Sequence, residues 1–382
     1  MGLEFLQPVE NTLYEYITAL PEQALGRKTV FHTEDNFPEF EAGSIAIIGV
    51  FENRGLDEER PHVHLNYIRK EFYSLYPGNW HVPVVDLGNI KEGASLQDTY
   101  YAVKSIAAAL IKQRVLLVVL GGSQDLTYAI YRGYDVLEQM VNVVSVDSRF
   151  DFGKGNDEIS ASSYLTSMIM DEPHNMFSYT NLGYQTYYNP QEEIDLIEKL
   201  YFDAYRLGEV CNDTTLAEPV MRDADLVSID LGVVKSGDSG NIVKFIPNGF
   251  DGKEICILAR YAGISDKVTS FGVFNHSDTR QEAGLVAQIL WYFIEGVNYR
   301  SNEYPFGSRE HYIKYIVTGE EEELIFYKSD KTERWWMELQ APGVNTKLKK
   351  AALLPCSYKD YLSACNDEVP ERLWKAQRKN II

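Results

Sequence analysis

Six apolar, β-branched runs separated by amphipathic helical patterns constrain this chain more than any other feature. Residues 44–50, 82–87, 115–120, 141–147, 225–231 and 268–274 are predominantly apolar, with Val, Ile, Leu or Phe in each. Such runs predict strands buried on both faces rather than alternating surface strands. Between the second and third, Val103, Ile106, Ala107, Leu110 and Ile111 recur at helical spacing behind the capping residues Ser95 and Asp98. Leu285, Val286, Ile289, Leu290, Phe293 and Ile294 mark another helix, starting near Asp278. Strand–helix alternation of this kind predicts an α/β fold with a mostly parallel central sheet covered by helices on both faces. Ligands then sit outside the carboxyl ends of the strands.

Residues 151–215 are polar and Tyr-rich, and predict long loops with one helix at 191–205. From residue 301 the pattern changes. Residues 311–318 and 323–339 read as two or three antiparallel strands with a turn at Ser329-Asp330-Lys331, a loop at Pro342-Gly343 and a short helical end at 358–378. The division expected is an α/β domain at 1–300 and a small appended C-terminal α+β module at 301–382. Trp335 and Trp336 offer that module a surface for a protein partner, but adjacent aromatics on a strand more often place one ring in the core.

Charge narrows the function classes. With 56 Asp+Glu against 36 Lys+Arg the formal net charge is −20, which argues against nucleic acid or anionic lipid as main partner. No stretch approaches the ~20 apolar residues of a membrane span. The N-terminal Met1-Gly2-Leu3-Glu4-Phe5 has no basic or apolar signal region. Cys211, Cys256, Cys356 and Cys365 are far apart and read as free thiols. A cytoplasmic globular protein is expected, with a homo-oligomer left open.

Three strand ends carry polar clusters: Gly121-Gly122-Ser123-Gln124-Asp125-Leu126-Thr127, Asp147-Ser148-Arg149-Phe150-Asp151 and Ser228-Ile229-Asp230-Leu231-Gly232. Each Asp alone reads as a cap for the next turn or helix. Acids from two buried strands converging on one crevice cost several kcal/mol unless a cation neutralises them, so together they point to a shared cationic site.

These clusters, in this order and spacing, resemble the three motifs of the arginase/agmatinase/formimidoylglutamase family, the ureohydrolases: Gly-Gly-Asp-His-Ser, Asp-Ala-His-x-Asp and Ser-x-Asp-x-Asp-x-x-Asp-Pro. Asn53-Arg54-Gly55, Ile68-Arg69, Asp86-Leu87-Gly88, Leu182-Gly183-Tyr184-Gln185, Gly249-Phe250 with Glu254, and Asp278-Thr279 also fall in the family's order. The likeness covers roughly residues 40–300 and looks closest to formimidoylglutamases. It implies a three-layer arginase-like fold and two Mn²⁺ ions bridged by a hydroxide that attacks an amidine or guanidine carbon. Of the six implied ligands only Asp147, Asp151 and Asp230 remain. Gln124, Arg149 and Gly232 stand where two histidines and an Asp are implied, and around Gly272-Val273-Phe274-Asn275 the implied substrate-binding acid has no counterpart.

An arginine offers a metal no lone pair. Arg149 is therefore expected to act as an internal cation on the three carboxylates, with Lys235 reducing their charge further. Gln124 is either an amide-oxygen ligand to one remaining cation or a plain helix-start amide, and Ser123 lines the same pocket. His276, His62 and His64 are the remaining candidate ligands. The reading that follows is a non-catalytic arginase-fold protein serving in binding or assembly, without a cofactor and with a protein partner on the C-terminal module. Its alternatives are a C–N hydrolase of the formimidoylglutamase or agmatinase type using one divalent cation, Mn²⁺ or Mg²⁺, and a metabolite sensor whose Arg149 recognises a ligand carboxylate.

Overall fold

The computed structural model describes residues 2–56, 65–137, 139–153, 158–241, 245–277, 279–303, 310–319, 323–339 and 352–379. Its centre is a nine-stranded sheet made of β1 (Val30–Phe31), β2 (Ile45–Val50), β3 (Val84–Ile90), β4 (Leu116–Leu120), β5 (Val141–Val146), β6 (Met176–Tyr184), β7 (Asp203–Arg206), β8 (Leu226–Asp230) and β9 (Ser270–Phe274). The strands lie in the order β1-β3-β2-β4-β9-β8-β5-β6-β7, and every pairing among them is parallel.

The six expected strands are present as β2, β3, β4, β5, β8 and β9. Their continuous apolar character has the expected cause: successive side chains serve opposite faces. Ile45 and Ile47 join one core cluster with Phe271, Phe293 and Leu290. Ala46 and Ile48 join a second with Val103, Ile106 and Leu110. The helices Leu65–Ser74, Gly252–Ile264 and Arg280–Asn298 supply the first layer, and Leu96–Lys112 and Leu126–Gly133 the second. Ser95 caps Leu96–Lys112 in a reciprocal box with Asp98, as its spacing predicted.

Two expectations for residues 151–215 are corrected. Residues 176–184 form the strand β6, and the predicted helix at 191–205 ends at Lys199, with residues 203–206 in β7. Tyr201 stops that helix with a left-handed φ of 55°. β6 is hard to read because Ser178, Thr180 and Asn181 interrupt it, yet its last six residues are buried.

The C-terminal unit is a separate antiparallel sheet of β10 (Tyr312–Thr318), β11 (Glu323–Ser329), β12 (Trp335–Leu339) and β13 (Ala352–Cys356), followed by the helices Tyr358–Cys365 and Glu371–Lys379. β13 is one strand more than the sequence suggested, and Pro342-Gly343 lie outside the described residues. Both tryptophans are buried, Trp335 at 7% exposure and Trp336 at 1%. Trp335 stacks on Tyr361 at 4.8 Å, while Trp336 lies under the guanidinium of Arg222 at 4.5 Å. Buried Arg222, on the helix Ala217–Asp223, also donates to the carbonyls of Trp335 and Cys356 at 2.9 and 3.0 Å. One side chain of the α/β domain thus holds two neighbouring strands of the module.

Candidate functional site

The carboxyl ends of β4, β5 and β8 bring the three polar clusters together. After β4 the chain turns through Gly121 and Gly122, both at positive φ (101° and 72°). A Cβ on Gly122 would lie 2.3 Å from Leu126 and 2.7 Å from the Glu52 carbonyl, so only glycine fits. This turn delivers Gln124 to the start of the helix Leu126–Gly133, its backbone N–H donating to Asn275 Oδ1 at 3.1 Å.

Below the acids lies a floor of hydroxyls. Ser145 of β5 and Ser228 of β8 face each other in register. The Gln124 amide nitrogen donates to both, at 3.3 and 3.4 Å, and Thr127 is 2.7 Å from Ser228. Thr127 and Ser228 belong to the polar clusters read from the sequence, without a role of their own, and Ser145 was not anticipated. The signal was present, since Val144-Ser145-Val146-Asp147 and Val227-Ser228-Ile229-Asp230 repeat one pattern, a polar residue two positions before each acid.

Two residues beyond that floor stand Asp147 and Asp230. Asp147 is 1% exposed. Its Oδ1 accepts the backbone N–H of Arg149 at 2.8 Å, and Asp230 Oδ1 accepts that of Gly232 at 2.7 Å. Burial pushes the Asp147 carboxyl up to about 7, with the Asp230 charge adding to it. Asp151, buried at a left-handed φ of 58°, is pushed well above the usual carboxylate range. Burial is the main cause, followed by the Asp147 charge and a hydrogen bond with that carboxyl. Burial and their mutual repulsion therefore favour a proton held between the Asp147 and Asp151 carboxyls.

The expectation for Arg149 is corrected. Its guanidinium does not neutralise the acids by contact: it is exposed, lies 4.7 Å over the Tyr188 ring and donates to the Tyr188 carbonyl at 3.0 Å. Only its backbone reaches Asp147. The physical reason is that a surface aromatic face and a carbonyl satisfy the guanidinium without desolvating it. Lys235 likewise serves elsewhere, 3.8 Å from Asp238 and about two-fifths exposed (39%). Ser123 is buried, its hydroxyl donating to the Glu52 carbonyl at 3.3 Å. His276 is buried, its imidazole pushed down to about 4 by burial. His62 and His64 lie outside the described residues.

The six-ligand set implied for a pair of manganese ions does not fit these residues. Gly232 has no side chain, and a Cβ there would meet the Asp230 carboxylate oxygens at 3.0 and 3.1 Å. Arg149 points away, and the Gln124 amide nitrogen is directed at two serines. Among the described residues, no group of three or more His, Cys, Asp or Glu side chains is arranged to hold a metal ion. No helix among them is long and apolar enough to cross a membrane.

Relatives place this architecture. The Arginase family profile matches residues 63–262, more than half of the chain. A formimidoylglutamase of Staphylococcus epidermidis is 25% identical over 240 residues, covering 59% of this chain and 76% of that protein. One from Lysinibacillus sphaericus is 17% identical over 224 residues, covering 55% and 69%. Among solved structures, a manganese-containing formiminoglutamase of Trypanosoma cruzi superposes with a TM-score of 0.61 at 16% identity, covering 68% of this chain and 94% of that one. The Bacillus subtilis formimidoylglutamase gives 0.61 at 15% identity, covering 76% and 100%. With its parallel sheet, its three motif-bearing strand ends and a profile match across them, this chain belongs to the arginase family.

Proposed function

We propose that the chain is a non-catalytic member of the arginase family, retained for binding or assembly rather than for metal-assisted hydrolysis. One observation carries this reading. At the three positions where the family resemblance implies two histidines and an aspartate, the chain has an amide donating to Ser145 and Ser228, an arginine stacked on Tyr188, and a glycine. The remaining acids manage their charge with a retained proton and with backbone N–H donors. In this reading, the C-terminal module provides the surface for a protein partner. The test is metal analysis of protein loaded with Mn²⁺ and then dialysed, run beside assays on formimidoylglutamate, agmatine and arginine. Less than one Mn per chain and no turnover is the expected result. Two Mn per chain with release of formamide, urea or ammonia would overturn the proposal.

A second reading has its own support. Gln124 Oε1 and Asp147 Oδ2 are buried without a hydrogen-bond partner among the described residues, an expensive state for two acceptors. Deprotonated Asp147, Asp151 and Asp230 with the Gln124 oxygen are the hard donor types that one Mn²⁺ or Mg²⁺ takes, and they would have to rearrange to hold it. Such a cation would polarise a bound amidine. This hydrolase would show cation-dependent turnover of formimidoylglutamate that disappears in Asp151→Ala.

A further inference from the structure

A cavity of about 670 Å³ lies between the α/β domain and the C-terminal module, away from the hydroxyl floor. Its base is the underside of the core, including Phe150, Tyr184 and Phe202. One wall is the helix Gln191–Lys199 and the other is the last helix of the module, which contributes Trp374. Trp374 is 43% exposed and meets Tyr201 edge-on at 5.6 Å. Tyr201 is the residue at φ 55° that ends the facing helix. A β-carbon disfavours that conformation, and it brings the ring to the cavity.

The charges of the lining are unequal. Lys375 is engaged by Asp203 at 2.9 Å and Glu371 at 2.8 Å, leaving Asp195 and Glu198 against Lys199. Glu198 lies in the last turn of its helix, whose dipole adds negative potential there, and Asp195 lies in its middle, accepting Gln191 Nε2 at 2.8 Å. The rings already attract cations: Arg206 lies 6.0 Å from Tyr184 and Arg378 lies 5.5 Å from Trp374, neither of them lining the cavity. An aromatic wall beside two carboxylates that make no ion pair among the described residues, in a chain of net charge −20, complements a cation with a hydrocarbon body.

We propose that this cavity is a binding site for a small amine in its ammonium form, its apolar body on Trp374 and Tyr201 and its charge toward Asp195 and Glu198. The appended module then completes a ligand site that the α/β domain alone could not close. The proposal does not depend on the fate of the acid pocket.

The test is calorimetric titration of the full chain with phenethylammonium, beside 2-phenylethanol and 3-phenylpropionate as neutral and anionic matches. Saturable one-to-one binding of the ammonium is expected, about tenfold tighter than either match. Trp374→Ala should weaken it by about tenfold, and the double variant Asp195→Asn, Glu198→Gln by a similar factor. Trp374→Phe keeps an aromatic face and controls for misfolding, and should lose less than Trp374→Ala. Failure to saturate, equal affinity for the neutral or anionic match, or indifference to all three variants would overturn the proposal.

Discussion

Asp86 and Asp147 both lie on central strands or at their ends, at 0% and 1% exposure, yet their surroundings differ completely. Asp86 receives Arg69 Nε at 2.7 Å and a second Arg69 nitrogen at 3.0 Å, the Tyr73 hydroxyl at 2.6 Å and the Gly88 N–H at 2.9 Å. Arg69 itself is closed off by the Asn89 oxygen at 2.6 Å and the Gly88 carbonyl at 2.9 Å. Every lone pair and every charge has an internal partner. Asp147 has one backbone donor, a hydrogen bond shared with the equally buried Asp151 carboxyl, and the Asp230 charge nearby, with no cation against it among the described residues. A carboxylate that ties a helix to a strand is saturated by the chain. One at the mouth of the sheet is left deficient, which marks the second place as the one open to a ligand, a proton or an ion.

The contrast is breakable. Replacing Arg69 by Met should cost the most, about 3–5 kcal/mol in urea unfolding, because it strands a buried charge. Asp147→Asn should go the other way, raising stability at pH 8 by about 1 kcal/mol, since it removes a charge that burial and Asp230 both disfavour. A loss comparable to that of Arg69→Met would mean that Asp147 is paired after all.

The pH dependence sharpens the same point. Asp125 and Asp225 are both raised to about 6, in each case by burial first. Their folded pKa lies above the unfolded value, so the fold binds more protons than the unfolded chain. Stability should therefore rise as pH falls from about 7 to about 5, by roughly 1 kcal/mol per group. Asp225→Asn should flatten part of that slope in thermal melts recorded across this range. A slope of opposite sign would show these acids to be stabilised as anions.

The smallest effect is expected at Arg149. Arg149→Ala removes an exposed ring contact and should change stability by less than about 0.5 kcal/mol. Were the guanidinium the counter-ion of the acid pocket, the loss would approach that of Arg69→Met.

What the sequence disclosed and what it concealed divide along burial. The apolar runs forced the parallel sheet, and the repeated Val-Ser-x-Asp pattern put two acids at adjacent strand ends. β6 was hidden because Ser178, Thr180 and Asn181 break its apolar run. Distant groups take up part of their polarity, Lys379 donating to the Ser178 hydroxyl and the Asn181 amide donating to the Arg149 carbonyl. For Arg149 the sequence set the residue but not its direction. Spacing from Asp147 places the backbone, whereas the side chain was free to find Tyr188, nearly forty residues on. Trp336 posed the same difficulty: whether an aromatic on a strand faces a core or a partner depends on what packs over it, here Arg222 from a distant helix.

That arginine has a consequence for heredity. A sheet whose inner ring is roofed by a cation from another part of the chain cannot be recombined onto an arbitrary host. Cutting at residue 300 would leave a bare guanidinium on one fragment and an uncovered indole on the other. Calorimetry of the intact chain should accordingly register one melting event, and gene fusions that carry the module without its receptor helix should yield insoluble products.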